Sequence, residues 1–382
     1  MSTSTAALCK EDYTLQPFEE WWATNYDFLR ERGYRLRDRY NPSVMDSWLV
    51  RGEIDDEEAR RRGLLDKPDY SLSASKGMDA VRVRDGSQLW IKRCPLEHPD
   101  DGPDSVMELV LNAMIARDED LHNHFLPFVD YFVVPDEKSW EFVKHNLRLC
   151  ASTGMHGTSR PKPWILSSSS LSDIHPINIL MSPTPIFYDG FDPLRNTMFA
   201  ALADDVARAP YRDRIEVPAR YWYIDLGLSC YFTVGTPHQV TWPGGVLKLP
   251  EVFGTTDPSD DDELNPPQVT YDAFAGDVWQ LGTTLRMFFG KSIPSLNPLL
   301  RAMTDWEPSK RPTADQCLAE FHARTDNLPR WQLLLPVRDA SFAANLPGLE
   351  WDLRLRFMFA HYREWFRLAR KAIRLGLPKP TP

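Results

Sequence analysis

Asp173-Ile174-His175-Pro176-Ile177-Asn178 places an asparagine five residues after an aspartate, and Asp225-Leu226-Gly227 follows 47 positions after that asparagine (225 − 178). These residue types in this order suit phosphoryl transfer from a metal–nucleotide complex. One aspartate orients the attacking hydroxyl, the asparagine holds one Mg²⁺, and the second aspartate holds the Mg²⁺ that bridges the phosphates. An Asp-x-Gly alone is common in turns, and an aspartate such as Asp173 often does no more than cap one. The ordered pair at this spacing is the more specific signal. Asp225 also stands between apolar Ile224 and Leu226, a placement that costs free energy unless the carboxylate is paired or metal-bound.

The elements that must position these residues are legible on both sides. Residues 178–181 read as an apolar strand, and 221–224 as a second strand leading into Asp225. Upstream, residues 17–33 predict an amphipathic helix with Phe18, Trp21, Trp22, Phe28 and Leu29 near one face and Gly33 as its stop. The alternation over 80–84, with Asp85-Gly86 as a type I′ turn and a return over 87–92, predicts a hairpin. A helix over about 104–117 follows, then a strand pair at 128–134 and 140–143. From 270 onward the pattern is helical, over 271–290, 294–304, 313–324 and about 350–375. Strands first and helices later predict an α+β fold of two unequal lobes.

Composition narrows the classes. The 382 residues carry 42% hydrophobic content, enough for a large core, and a formal net charge of −10, which argues against non-specific nucleic-acid binding. Five cysteines without metal-type spacing suggest free thiols in a reducing compartment. The first residues lack the basic-then-apolar pattern of a secretory signal, and no run of 18 apolar residues occurs. The expected location is cytoplasmic, or else nuclear.

Lys92, Glu108, Asp173, Asn178, Asp225, Pro250-Glu251, Asp277 and Arg311, in this order and spacing, resemble the eukaryotic protein kinase family from about Met78 to Phe321. More narrowly, the chain resembles a group of fungal kinase-like proteins. That likeness is carried by the N-terminal Phe18-Glu19-x-x-Trp22, the Met78-to-Gly86 hairpin, Gly190-Phe191-Asp192-Pro193 and Tyr271-Asp272-Ala273-Phe274. The resemblance implies a two-lobed kinase-like fold, with an N-terminal extension (1–75), a β-rich lobe (76–143), a shortened inter-lobe segment (144–172), a helical lobe (173–335) and a basic amphipathic helix (336–382). It also implies Mg²⁺ and ATP as cofactors and a protein as substrate or partner. Lys92 would grip the α/β-phosphates with Glu108 as its ion-pair partner, and Asp173 would orient the acceptor. His175 would lie near the γ-phosphate, Asn178 and Asp225 would bind metal, and Gly77 would belong to the phosphate cover. Asp277 would brace the catalytic loop, and Arg311 would pair with Glu251.

Each of these residues has a plainer reading. Lys92 is an ordinary strand-end lysine when taken alone, Glu108 a polar helix position, and Asp277 with Arg311 structural either way. Several positions also depart from the family. The stretch 73–81 holds one glycine where a glycine-rich loop is usual, which predicts weak nucleotide affinity. Leu171-Ser172 replaces the usual His-Arg, so activation by a phosphorylated loop is not expected. His175 replaces a lysine, which predicts slower transfer. The segment 150–170 is rich in Ser, Gly and Pro and reads as loop where two helices are usual.

These departures support a second reading, a catalytically impaired kinase-like binding or scaffold module. The charged runs 53–62 and 257–263 read as solvated surface. The last helix carries seven Arg/Lys against two acids over 351–374, with apolar residues at helical spacing. Its expected placement turns the apolar face to the large lobe and the arginines to solvent; contact with an acidic membrane surface is the alternative.

Overall fold

Pro17 presets the backbone at the first position of helix α1 (Pro17–Thr24), and Asn25 divides it from α2 (Tyr26–Glu31). The single helix expected over 17–33 is therefore two. The Asn25 side chain donates back to the Trp21 carbonyl at 2.9 Å, an alternative to continuing the helical ladder. The computed structural model describes residues 15–45, 77–95, 104–116, 123–134, 139–145, 169–171, 173–183, 185–188, 211–213, 216–217, 219–233, 235–241, 245–254, 269–326, 328 and 351–375. The expectations for 53–62, 190–193, 257–263 and most of the inter-lobe segment (146–168) lie outside the described residues. Helices and small antiparallel sheets are mixed, an α+β architecture, and the chain divides into two compact units.

The first unit comprises residues 1–105, 126–148 and 189–210. Its antiparallel sheet runs in the order β1-β2-β3-β5-β4, with β1 (Tyr34–Arg35), β2 (Gly77–Arg82), β3 (Gln88–Pro95), β4 (Phe128–Val133) and β5 (Ser139–His145). The β2–β3 hairpin forms as expected, but its turn is not type I′. Four residues, 83–86, lie inside the closing Arg82–Ser87 hydrogen bond, and only Gly86 has positive φ. Asp85 organises the turn by accepting from the Ser87 amide and hydroxyl and from Arg82.

Residues 15–45 of the N-terminal extension are integral to this unit, since Trp22, Tyr26, Leu29, Tyr34 and Tyr40 share one core with Met78, Leu89, Ile91 and Phe132. Inside that core Glu19 and Arg39 form a fully buried ion pair. The Glu19 carboxylate accepts both Arg39 Nε and Arg39 Nη2, the Tyr40 hydroxyl and the Gln16 amide, so the charges are compensated and hydrogen-bonded.

The second unit comprises 106–125, 149–188 and 211–382. Its helices are α3 (Asp104–Ala116), the turn-length α4 (Pro250–Phe253), α5 (Ala273–Phe289), α6 (Asn297–Met303), α7 (Ala314–Thr325) and α8 (Trp351–Leu375). Two-stranded ladders join β6 (Ser169–Ser170) to β9 (Cys230–Tyr231), β7 (Ile179–Met181) to β8 (Tyr221–Tyr223), and β10 (Gln239–Thr241) to β11 (Thr270–Asp272). Helix α5 starts where the Asp272 side chain caps the Ala275 amide, and its apolar face fills the core with Val278, Leu281, Leu285, Phe288 and Phe289. Among the described residues Cys230 and Cys317 are free thiols.

Helix α8 departs from its expected placement. Arg367 makes a two-pronged pair with Asp213, and Lys371 reaches both Asp213 and Glu216. Phe359 and Phe366 are exposed. The Asp213 carboxylate is nearly buried, and burial alone would raise its pKa; Arg367 and Lys371 hold it below the ordinary carboxylate value. That demand for cations fixes which side of the helix faces the unit.

Replacing Glu19 by Gln is expected to strand the Arg39 charge inside the first unit and to cost about 3–5 kcal/mol. The measurement is the urea midpoint followed by tryptophan fluorescence. Glu307→Gln, which breaks the exposed pair with Lys310, is expected to leave the midpoint unchanged.

Candidate functional site

Leu171 and Ile174 are positioned by the backbone groups they offer to helix α5. Asp277, fully buried, accepts the Leu171 amide at 2.8 Å. One turn on, Gln280 Oε1 accepts the Ile174 amide at 2.9 Å, and the Thr284 hydroxyl donates to the Ile174 carbonyl at 3.0 Å. From the other side the Ser229 hydroxyl donates to the Leu171 carbonyl at 3.2 Å. The brace expected of Asp277 is thus formed. Gln280, Thr284 and Ser229 were not singled out from the sequence, although polar residues at 277, 280 and 284 on an otherwise apolar helix face are a readable i, i+3, i+7 signal.

The braced segment presents Asp173 and Asn178 to each other. Asn178 Nδ2 donates to Asp173 Oδ2 at 2.8 Å and to the Asp173 carbonyl at 3.1 Å. With its amide nitrogen so engaged, the Asn178 side-chain oxygen is the atom left to coordinate or accept. Asp173 Oδ1 accepts the Val246 amide at 3.0 Å.

The β7–β8 ladder then brings in Asp225. Ile179 pairs with Tyr223, and the Ile224 amide donates to the Asn178 carbonyl at 3.0 Å, so Asp225 follows directly beside Asn178. Asp225 is exposed and has φ 62°, the only non-glycine with positive φ among the described residues. This left-handed conformation costs on the order of 1 kcal/mol, partly offset because Asp225 Oδ1 accepts the Gly227 amide at 3.3 Å. Such conformations gather at sites where geometry is imposed for function.

Glu108, buried on α3, approaches the same corner. A Cβ placed on Gly227 would sit 3.2 Å from Asp225 Oδ1 and 3.6 Å from Glu108 Oε2. Glu108 and Asp225 thus both approach Gly227, while Asp173 and Asn178 meet each other on the braced segment. His175 stands at the start of the following short 3₁₀ turn, where its Nδ1 accepts the Ile177 amide. Burial lowers the His175 pKa below 6.5, and the Asp173 carboxylate pulls the other way. The neutral imidazole is the favoured form.

Lys92 and Gly77 lie in the first unit, paired with each other across β2 and β3. Gly77 is inside the strand, where a Cβ would meet the Trp90 indole at 2.5 Å. The glycine is required there by the packing of Trp90. Arg311 and Glu251 form the two-pronged pair that the resemblance implies, at 2.8 and 2.7 Å.

Among the described residues no group of three or more His, Cys, Asp or Glu is gathered for a metal. The Asn178 amide oxygen and the Asp225 carboxylate are hard oxygen donors of the kind Mg²⁺ takes in small number beside water and phosphate. The chain matches no family model and no curated protein.

Asp277→Ala is expected to leave the Leu171 amide buried without its acceptor, at a cost of about 1–3 kcal/mol. Hydrogen exchange at Leu171 and Ile174 should accelerate, while the Arg324-bearing helix α7 keeps its protection.

Proposed function

We propose that the chain is a protein-kinase-like phosphotransferase that binds Mg-ATP and transfers the γ-phosphoryl group to a protein Ser/Thr hydroxyl. The observation that carries this reading is the convergence of Asp173, Asn178 and Asp225, distant in sequence, through the Asn178–Asp173 hydrogen bond and the Ile224–Asn178 backbone bond. In the reaction the acceptor hydroxyl oxygen attacks the γ-phosphorus, the bond to the bridging oxygen breaks, and ADP leaves. Asp173 orients the hydroxyl and takes its proton. Its carboxylate is fixed for this by Asn178 on one oxygen and the Val246 amide on the other.

Asn178 and Asp225 would hold Mg²⁺, which neutralises phosphate charge. His175, neutral through burial, offers a hydrogen bond near the γ-phosphate where a lysine would offer charge. The resemblance assigns Lys92 to the α/β-phosphates and Glu108 to Lys92, within a two-lobed kinase-like arrangement.

A second reading, a kinase-like binding module with little or no turnover, is favoured by one observation. Gly77 is covered by Trp90 and so is not free to bring backbone amides against phosphate. The expected affinity for nucleotide is weak on either reading.

Thermal denaturation with increasing Mg-ATP is expected to show stabilisation that grows with ligand through the millimolar range. Labelled γ-phosphate should transfer to a protein acceptor and be lost in Asp173→Asn with binding retained. No stabilisation at millimolar ATP contradicts the nucleotide site. Stabilisation without transfer selects the binding module.

A further inference from the structure

Helix α8 turns its apolar stripe to solvent. Trp351, Phe359, Tyr362, Phe366 and Ile373 are 75, 72, 49, 58 and 80% exposed. At about 100° per residue, these five fall within an arc of about 80°. The next about 40° of the same helix carries Arg370, Arg363 and Arg374, all exposed. The opposite side meets the unit, with Lys371 and the inner reach of Arg367 on Asp213, and Ala372 fully buried. The orientation is fixed by ion pairs on one side and presents aromatic and aliphatic side chains with an arginine border on the other.

We infer that this face of α8 is a docking surface for an anionic phospholipid bilayer, on which the helix lies in the plane of the headgroups. Three features point to that occupant. The helix carries a surplus of five positive charges over 351–374 (seven Arg/Lys less two acids), of which three remain after Asp213 and Glu216 pair with Arg367 and Lys371 (5 − 2), on a chain whose net charge is −10. A local basic strip on an acidic chain favours an acidic surface in one orientation. The strip borders large aromatic and aliphatic residues, so headgroup attraction and insertion into the acyl boundary act at one edge. No helix among the described residues is long and apolar enough to cross a membrane, so the helix lies on the bilayer rather than through it. A second copy of the chain is the less suitable occupant, because a two-fold contact would bring two such positive surpluses together.

The test uses the full chain in co-sedimentation with extruded vesicles of phosphatidylcholine alone or mixed with phosphatidylserine. Binding is expected to the phosphatidylserine vesicles, to fall steeply with salt, and to be absent with phosphatidylcholine alone. Arg370→Glu and Arg374→Glu should each lower partitioning at least about fivefold. Phe359→Glu with Phe366→Glu should abolish it, with an unchanged melting curve showing that the fold is retained. No binding to phosphatidylserine vesicles, equal binding to both vesicle types, or binding indifferent to these substitutions overturns the proposal. A concentration-dependent dimer, lost in the phenylalanine double variant and without vesicle binding, overturns it in favour of a second copy.

Discussion

The buried Asp277 carboxylate is the constraint on which the second unit's geometry rests. A charge with no solvent exposure must be met by donors, and the Leu171 amide is one of them. Leu171 is two residues from Asp173, so satisfying Asp277 also sets where Asp173 stands. Gln280 and Thr284 repeat the arrangement at Ile174, which makes α5 a ruler for the loop rather than only a core helix. Burial and the Asp277 charge together push the Tyr223 hydroxyl pKa upward, which keeps a neutral phenol beside the carboxylate. Loop, helix and the β7–β8 ladder are thus tied at one polar point within an apolar core.

That point explains how a short, irregular segment holds residues from distant places in the sequence. Asn178 is the junction. Its side chain fixes Asp173, and its carbonyl receives the Ile224 amide, placing Asp225 alongside. The strained backbone of Asp225 persists because the ladder before it and the Gly227 amide after it both restrain it. Arg311 and Glu251 give the same kind of service farther out, where Arg311 also donates to the Ala275 carbonyl and so joins α4 to the start of α5.

Legibility in the sequence followed the physics of each feature. Helices α3, α5 and α7 and the β4–β5 pair were readable because apolar periodicity acts locally. Asp173, Asn178 and Asp225 were readable because their spacing is short or ordered. The split of the first helix at Asn25 and the longer Arg82–Ser87 turn were missed, since both depend on where one side chain finds its partner. The placement of α8 was misjudged for a tertiary reason: its amphipathic pattern says which residues share a face, while Asp213, far away in sequence, decides which face turns inward. Gly77 likewise looked like a remnant of a phosphate loop, and its role against Trp90 is visible only once β2 and β3 are paired.

Asn178 and Asp225, braced from α5, are proposed to form one metal–nucleotide site. Electron paramagnetic resonance of Mn²⁺, which shares the oxygen-ligand preference of Mg²⁺, tests this directly in a titration with ATP. A protein-bound Mn-ATP signal is expected in the wild type and is expected to be lost in both Asn178→Ala and Asp225→Asn. A wild type that never takes up Mn-ATP, or variants that bind it as well as the wild type does, would contradict it.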